Sequence, residues 1–129
     1  VQMGTAFLVA KECPISEEYK DRVLKAIDTD TVVTGKFLKH AVRSLKNELT
    51  EKYQSLEFGI VRDKPVQEEM ENLGTGALRR AVEGDIENGT ICAGQIAGMV
   101  KTEATCQEII DQIMGDAEKI LQNAGSLVK

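Results

Sequence analysis

A glycine and a threonine near the start of the chain form the pattern with the clearest chemical meaning. Gly4 and Thr5 follow the stretch Val1-Gln-Met, which is typical of the end of a β-strand. A glycine at a strand end, followed by a threonine that opens a short helix, presents backbone N–H groups and a hydroxyl to an anion. An ordinary strand-to-helix turn has the same local pattern. The residues alone therefore leave phosphate binding and a plain turn as alternatives.

The other reactive side chains are few. The chain has three cysteines, Cys13, Cys92 and Cys106, and one histidine, His40. The cysteines have no metal-ligand spacing, and their odd number favours free thiols in a reducing cytoplasm. We expect each to be a small buried hydrophobic residue rather than a nucleophile, because a single histidine is available to activate them. No metal site is predicted.

Length and composition restrict the class of protein. The chain has 129 residues and a net charge of −5, whereas a complete (β/α)8 barrel needs about 250 residues. The negative charge argues against nucleic acid as a partner. No apolar run reaches the roughly 18 residues of a membrane span, and the first residues do not have the pattern of a signal peptide. Because the chain begins with Val1 in what reads as a strand, we expect a fragment.

The first half of the sequence predicts two short helices, a strand and a long helix. The apolar stretch from Thr5 to Lys11 favours a short helix, and Ser16 is a suitable N-cap for the next one. The apolar face of that second helix would consist of Tyr19, Val23, Leu24 and Ile27. The β-branched run between Asp28 and Gly35 predicts a short strand. From Leu38 onward, apolar residues at helical spacing predict one long amphipathic helix; they are Ala41, Val42, Leu45, Leu49, Tyr53 and Leu56.

The second half predicts further helices separated by glycines. After a loop from Gly59 to Lys64, Pro65 suits the first turn of a helix, which Gly74 and Gly76 should interrupt. Another helix begins near Leu78 and ends before a polar turn over residues 83–89. In the last helix, Thr105 and Glu108 form a capping-box pattern ahead of an apolar face that continues to Gly125. The prediction is a mainly α chain with one or two short strands.

Several short strings together resemble one enzyme family along nearly the whole chain. The strings are Val1-Gln-Met-Gly-Thr-Ala-Phe-Leu8, Glu12-Cys-Pro14, Asp30-Thr-Val-Val-Thr-Gly35, His40-Ala-Val-Arg-Ser-Leu-Lys-Asn47, Gly76-Ala-Leu-Arg-Arg-Ala-Val-Glu-Gly-Asp85 and Ala93-Gly-Gln-Ile-Ala-Gly98. The family they resemble comprises enoyl-acyl-carrier-protein reductase II and the related nitronate monooxygenases, which are FMN-dependent (β/α)8-barrel enzymes.

The resemblance implies a C-terminal segment of such a barrel together with its helical subdomain. Residues 1–28 would be the end of the barrel, with its last strand, the phosphate-site helix and the helix that follows. Residues 29–100 would form a helical subdomain on the substrate side. Residues 101–129 would form a C-terminal helix.

The resemblance also implies where the cofactor binds. Gly4 and Thr5 match the pair that binds the FMN phosphate, with Met3 and Gln2 beside it. The family often has arginine or lysine after this pair, where this chain has Ala6. No catalytic residue is expected in this segment, because the family's catalytic histidine belongs to the part of the barrel outside it.

Four residues are expected on the substrate side. Gly94 and Gln95 match a turn that leans over the flavin and the substrate cleft, and His40 and Arg43 match a pair common in the reductases. The family often has glycine where this chain has Lys39. From the residues alone, His40 also fits a capping or hydrogen-bonded position before a helix. Arg43 fits either an ion pair within a helix or a contact with a phosphate.

The implied activity of the intact protein is reduction of enoyl thioesters of acyl carrier protein in fatty acid biosynthesis. Electrons would pass from NAD(P)H through FMN to the substrate. One alternative is a nitronate monooxygenase acting on a small nitronate. Another is a non-catalytic helical module that self-associates, since a fragment of a barrel would expose apolar surface. We expect a cytoplasmic homo-oligomer without nucleic-acid or membrane partners, and an inactive chain when isolated.

Overall fold

The computed structural model describes residues 2–59 and 64–126. Most of their regular structure is helical, with one antiparallel sheet of two short strands. This confirms the prediction of a mainly α chain with one or two short strands. In chain order the elements are α1 (Thr5–Leu8), α2 (Glu17–Leu24), β1 (Thr31–Thr34), β2 (Val42–Leu45), α3 (Glu48–Glu57), α4 (Lys64–Gly74), α5 (Ala77–Val82), a 3-10 turn (Gln95–Met99), α6 (Cys106–Gln122) and a second 3-10 turn (Ala124–Ser126).

The N-terminal part follows the predicted helices but not the predicted strand. α1 is a single turn, and the side chain of Ser16 caps α2 by accepting a hydrogen bond from the backbone N–H of Tyr19 at 3.3 Å. Residues 2–4 form no strand, and Val1 lies outside the described residues. The strand prediction is therefore wrong for residues 2–4: a strand requires a hydrogen-bonded neighbour, and no described segment pairs with them. Nearby, Ala10 makes an isolated parallel bridge with Ala104.

The predicted strand before Gly35 is present, but the long helix predicted from Leu38 is wrong in its first part. β1 pairs with β2 in antiparallel register, from Thr31 opposite Leu45 to Thr34 opposite Val42. The β-branched β1 needs a partner strand, and this pairing overrides the helical spacing of the apolar residues.

The turn between the strands uses unusual backbone conformations. Gly35 has a φ of 77° and Lys39 a φ of 61°, and the backbone N–H of His40 donates to the carbonyl of Gly35 at 3.1 Å. A Cβ on residue 35 would lie 2.5 Å from the carbonyl oxygen of His40, so only glycine fits there.

Asn47 determines where α3 begins. Its side chain accepts from the backbone N–H of Thr50 at 3.0 Å, and the Thr50 hydroxyl accepts from the N–H of Asn47 at 2.9 Å. The Asn47 side-chain amide also donates to the carbonyls of Ile86 and Gly89, both at 2.7 Å. This residue therefore stops the helix from extending backwards into β2 and fastens it to the polar turn after α5.

The glycine-punctuated region follows the prediction closely. Pro65 lies in the first turn of α4, which ends at Gly74, and Gly76 with a φ of 71° precedes α5. α4 includes Lys64, so the loop predicted from Gly59 to Lys64 ends earlier than expected. Residues 60–63 of that loop lie outside the described residues.

The core lies between α2, β2, α5 and the segment that precedes the first 3-10 turn. Its buried side chains come from elements that are distant in sequence and pack against one another. This packing fixes the relative positions of those elements. The members are Val9, Tyr19, Val23, Ala26, Leu45, Ala81, Ile91, Ala93 and Ala97.

α6 is the longest helix of the described residues and the least buried. The predicted capping box is present, since Thr105 accepts from the N–H of Glu108 and the Glu108 side chain accepts from that of Thr105. None of its residues is buried, and its apolar residues include the exposed Ile110, Ile113, Met114, Ile120 and Leu121. The helix ends at Gln122, a little before the predicted Gly125. No helix of residues 2–59 and 64–126 is both long and apolar enough to cross a membrane.

Candidate functional site

An open depression of about 370 Å³ brings together four of the predicted site residues. It lies where α1, β2 and the segment before the first 3-10 turn meet. Two of the four were predicted on the cofactor side and two on the substrate side. The lining residues are Gly4, Thr5, Leu8, Arg43, Cys92, Ala93 and Gly94.

A hydrogen bond joins the two predicted halves of the site. The backbone N–H of Gly94 donates to Oγ1 of Thr5 at 2.9 Å, across 89 positions of sequence. A Cβ on residue 94 would lie 3.2 Å from that oxygen, so glycine allows the close approach. A hydroxyl that accepts a hydrogen bond retains its own hydrogen for donation. The 8% exposed Thr5 can therefore donate to a ligand while it holds Gly94.

Gly4 leaves the floor of the depression open. A Cβ built on it would meet no atom within 4 Å, and the first N–H groups of α1 have no acceptor within the helix. α1 has only four residues, so few peptide dipoles align along it. The capacity of this site for an anion therefore depends on individual donors rather than on a helix dipole.

Arg43 supplies a positive charge at the rim. It lies on β2 and is half-buried, and its Nη1 donates to Oγ1 of Thr31 at 3.0 Å. The predicted alternative of an ion pair within a helix is wrong, because β1 draws residues 42–45 into a strand. Among the described residues, no carboxylate forms a salt bridge with Arg43. Its charge remains available to an anion in the depression.

The segment from Ile91 to Gly94 forms one wall and is held by hydrogen bonds from several elements. Leu45 donates to the carbonyl of Ile91 at 2.9 Å, and Ala93 donates to that of Arg43 at 3.3 Å. The hydroxyl of Tyr19 donates to the carbonyl of Cys92 at 2.9 Å.

Comparisons with known proteins agree on the family. The sequence profile of the nitronate monooxygenase family matches residues 1–116. The chain belongs to this family. Probable nitronate monooxygenases of several Staphylococcus aureus strains are 32% identical over 124 residues, which is 95% of this chain and 33% of theirs. The chain thus spans about a third of the length of these curated relatives.

Solved structures extend the resemblance to the enoyl reductase branch. FabK from Thermotoga maritima, an enoyl-acyl-carrier-protein reductase II, matches 99% of this chain with 35% identity and a TM-score of 0.88, over 40% of its own chain. A mutant of that protein matches with 31% identity and a TM-score of 0.79, over 37% of its chain. The resemblance stated from the sequence is confirmed, and the helix-rich chain fits part of a barrel enzyme.

His40 is not among the residues that line the depression. It lies in the exposed turn before β2 and lines a separate pocket of about 220 Å³ with residues such as Tyr53 and Thr90. A strand follows it, so the interpretation of a histidine before a helix is wrong. Cys92 lines both the pocket and the depression and is their shared residue.

Three other predicted site residues are exposed. Gln2 and Met3 precede the depression along the chain, and Gln95 begins the 3-10 turn. They are not among the residues that line the depression. Their roles beside the phosphate and over the cleft stay predictions.

The cysteines are free thiols of intermediate burial, which is less buried than expected. Burial raises the pKa of the Cys92 thiol. The pKa of Cys106 is also raised, first by desolvation and then by the carboxylate of Glu12. A raised pKa reduces the thiolate fraction, so neither thiol is activated as a nucleophile. Within the described ranges, no cluster of three metal-ligating side chains is found.

Sequence reasoning missed Tyr19 and Cys92 as parts of the site. Tyr19 was placed on the apolar face of α2, and its contact with Cys92 spans 73 positions. A buried tyrosine usually finds a hydrogen-bond partner for its hydroxyl. That rule signals a polar contact but does not identify the partner.

Proposed function

We propose that this chain forms the phosphate-binding wall of an FMN site in an FMN-dependent oxidoreductase. The observation that carries the proposal is the Thr5–Gly94 hydrogen bond beside Arg43 in one open depression. It joins the pair expected at the FMN phosphate to the turn expected over the flavin. The family membership supports the cofactor, because nitronate monooxygenases and FabK proteins are generally FMN-dependent.

The residues present fit a phosphate group. A phosphate offers several acceptor oxygens and negative charge, and the depression offers matching donors. The backbone N–H of Thr5, its hydroxyl hydrogen and the guanidinium of Arg43 belong to residues that line it. The open space at Gly4 admits the group close to the backbone. Gln2 and Met3 would lie beside it.

The substrate would be bound on the side of Gly94 and Gln95. The bound flavin supplies the electron transfer, and the chain's residues hold and orient it. Gly94 would keep the turn close to Thr5, and Arg43 would hold an anionic group at the rim.

The reaction we propose is reduction of an enoyl thioester of acyl carrier protein with NAD(P)H. The structural match to FabK supports this reaction. Oxidation of a small nitronate is the second candidate, and the family profile and the names of the S. aureus relatives support it.

A chimera tests the cofactor site. This chain replaces the matching 40% of T. maritima FabK, and FMN and riboflavin affinities are measured. Thr5→Val should weaken FMN binding about tenfold or more and leave riboflavin binding unchanged, because a hydrogen bond to a charged group contributes about 1.5–3 kcal/mol. Thr75→Val is the matched control, since that hydroxyl bonds the Glu71 carbonyl at the end of α4. Equal FMN affinity in the two variants would contradict the proposal.

The same chimera separates the two reactions. Oxidation of NAD(P)H that depends on a crotonyl thioester supports the reductase. Turnover only with a nitronate and oxygen would reject the reductase in favour of the monooxygenase. The FMN site is shared by both reactions, so this outcome leaves the cofactor proposal intact.

The third candidate, a non-catalytic module that self-associates, concerns the isolated chain. The exposed apolar residues of α6 favour association. We expect the purified 129-residue chain to lack stoichiometric flavin and to form an oligomer. Light scattering after size-exclusion chromatography, together with the visible absorbance of flavin, checks both. A monomer would contradict the expected self-association, and a stoichiometric yellow complex would contradict the expected lack of flavin.

A further inference from the structure

We infer that Tyr19 is a positioning residue for the proposed phosphate site. Its hydroxyl holds the carbonyl of Cys92 and thereby keeps the Gly94 amide at the Thr5 hydroxyl. The inference rests on the proposed function and adds a residue that does not itself line the depression.

Tyr19 is held firmly in place by the core and by the cap of α2. It is 4% exposed and belongs to the core cluster, and its backbone N–H is bound to the Ser16 cap at the start of α2. Burial raises the pKa of its hydroxyl. The hydroxyl therefore stays protonated and acts as a donor over the ordinary pH range.

The segment that Tyr19 holds has little structure of its own. Residues 92–94 belong to no helix or strand, apart from an isolated bridge between Cys92 and Ser44. Three bonds tie this segment to distant elements: Tyr19 bonds Cys92 at 2.9 Å, Ala93 bonds Arg43 at 3.3 Å, and Gly94 bonds Thr5 at 2.9 Å. Two local backbone bonds, from Cys92 to Thr90 and from Ala97 to Gly94, are both 3.1 Å long. The Ala93 bond is the longest of the three. Loss of the Tyr19 bond therefore removes one of the two shorter restraints.

The carbonyl of Cys92 and the amide of Gly94 are close in sequence, so their positions depend on each other. Only Ala93 separates Cys92 from Gly94, so a shift of the Cys92 carbonyl moves the Gly94 amide with it. When the amide moves, the Thr5 hydroxyl loses its donor and can turn its lone pairs elsewhere. The donor geometry toward a phosphate is then no longer fixed in advance.

Tyr53 provides a matched control. Its hydroxyl also donates to a backbone carbonyl at 2.9 Å, that of Met70 in α4. Desolvation raises its pKa as well. This bond joins α3 to α4, and neither Tyr53 nor Met70 lines the depression. Tyr53→Phe therefore removes a comparable hydrogen bond that does not involve the carbonyl of Cys92.

The test uses the whole chain, with inorganic phosphate as the probe. Phosphate is titrated into the wild type, Tyr19→Phe and Tyr53→Phe, and the amide resonances of Thr5 and Gly94 are followed by NMR. We expect Tyr19→Phe to weaken phosphate binding about five- to tenfold, as loss of one hydrogen bond allows, and to speed exchange of the Gly94 amide. Tyr53→Phe should lower the Tm by a similar amount and leave both readouts at the wild-type values.

The outcomes separate the two claims. If the wild type responds to phosphate at Thr5 and Gly94 and Tyr19→Phe responds equally well, the positioning role is overturned and the phosphate site stands. Equal weakening in both tyrosine variants also overturns it, because a general loss of stability then explains the effect. If the wild type shows no response, the proposed phosphate site itself fails, and the inference fails with it.

Discussion

α1 and α6 are opposites in how they are specified and in what they contribute. α6 has 17 residues and its own capping box, and none of its residues is buried. α1 has four residues and no side-chain cap, yet its first residue, Thr5, is buried and bonded to Gly94 across 89 positions of sequence. The comparison shows that the most strongly encoded local element lies outside the core. The site depends on an element that long-range contacts hold in place.

The first prediction compares a leucine of the core with a leucine of α6. Leu45 is fully buried in the core, whereas Leu121 is 74% exposed. Leu45→Ala should lower the free energy of unfolding by about 3–4 kcal/mol, because it leaves a cavity. Leu121→Ala should change it by about 0.5 kcal/mol or less. Chemical denaturation measures both, and equal losses would show that α6 is packed in the core.

The second prediction compares the substitution of glycine by alanine at Gly98, in the first 3-10 turn, with the same substitution at Gly115 in α6. A Cβ on Gly98 would lie 2.7 Å from the backbone carbon of Ile27, whereas one on Gly115 in α6 would meet nothing within 4 Å. Gly98→Ala should destabilise the chain by about 2 kcal/mol through overpacking. Gly115→Ala should stabilise α6 by up to about 1 kcal/mol, since alanine is the better helix former. The Tm should therefore fall in Gly98→Ala and rise in Gly115→Ala. A change of the same sign in both variants would contradict the difference in packing between the two positions.

The third prediction concerns the cap of α6. Thr105→Ala removes the hydroxyl that accepts from Glu108, which should cost about 1 kcal/mol of helix stability. Because α6 buries no residue, the loss should speed amide exchange within α6 and leave exchange at Thr5 and Gly94 unchanged. Ser16→Ala, which removes the cap of α2, should instead speed exchange in the core. Faster exchange at Gly94 in Thr105→Ala would show that α6 and the site are coupled.

The smallest predicted effect is a dependence of the stability of the first turn of α6 on pH. The pKa of Glu12 is lowered by hydrogen bonds from its own backbone N–H and then from that of Cys106, and the pKa of Glu108 is lowered by bonds from Thr105. A carboxyl whose folded pKa is lowered stabilises the fold above its unfolded pKa, and this contribution is lost as pH falls through the folded value. Protection of the Cys106 amide should therefore fall as the pH is lowered below the ordinary glutamate pKa of 4.5. Glu12→Gln should reduce the change, and an undiminished change would assign it elsewhere.

The same contrast explains how much the sequence could predict. The Ser16 cap, the Thr105–Glu108 box and the Gly74–Gly76 break depend on neighbours within four residues, and all three were predicted correctly. The helix predicted over residues 42–45 failed because apolar residues at 42 and 45 satisfy helical spacing, and the competing partner, β1, lies about ten residues earlier. The capping role of Asn47 was missed as a consequence.

The site itself could not be derived from local pattern. Gly4 and Thr5 were recognisable as a turn that suits an anion, but only the family resemblance connected them with Gly94 and Arg43. Tyr19 was assigned to an apolar face, and nothing near it in sequence points to Cys92. These contacts exist because the core brings α2, β2 and residues 91–94 together, which is a property of the whole fold.

The claim that Thr5, Arg43 and Gly94 bind the phosphate of FMN is tested most directly by comparing two ligands that differ in that phosphate. FMN and riboflavin are titrated separately into the chimera with T. maritima FabK, with this chain's segment isotope-labelled, and the amide shifts of Thr5, Ala6 and Gly94 are recorded by NMR. We predict that FMN moves all three resonances, that inorganic phosphate moves them in the same direction, and that riboflavin leaves them in place. Equal shifts with riboflavin, or FMN-induced shifts confined to other residues, would contradict the claim.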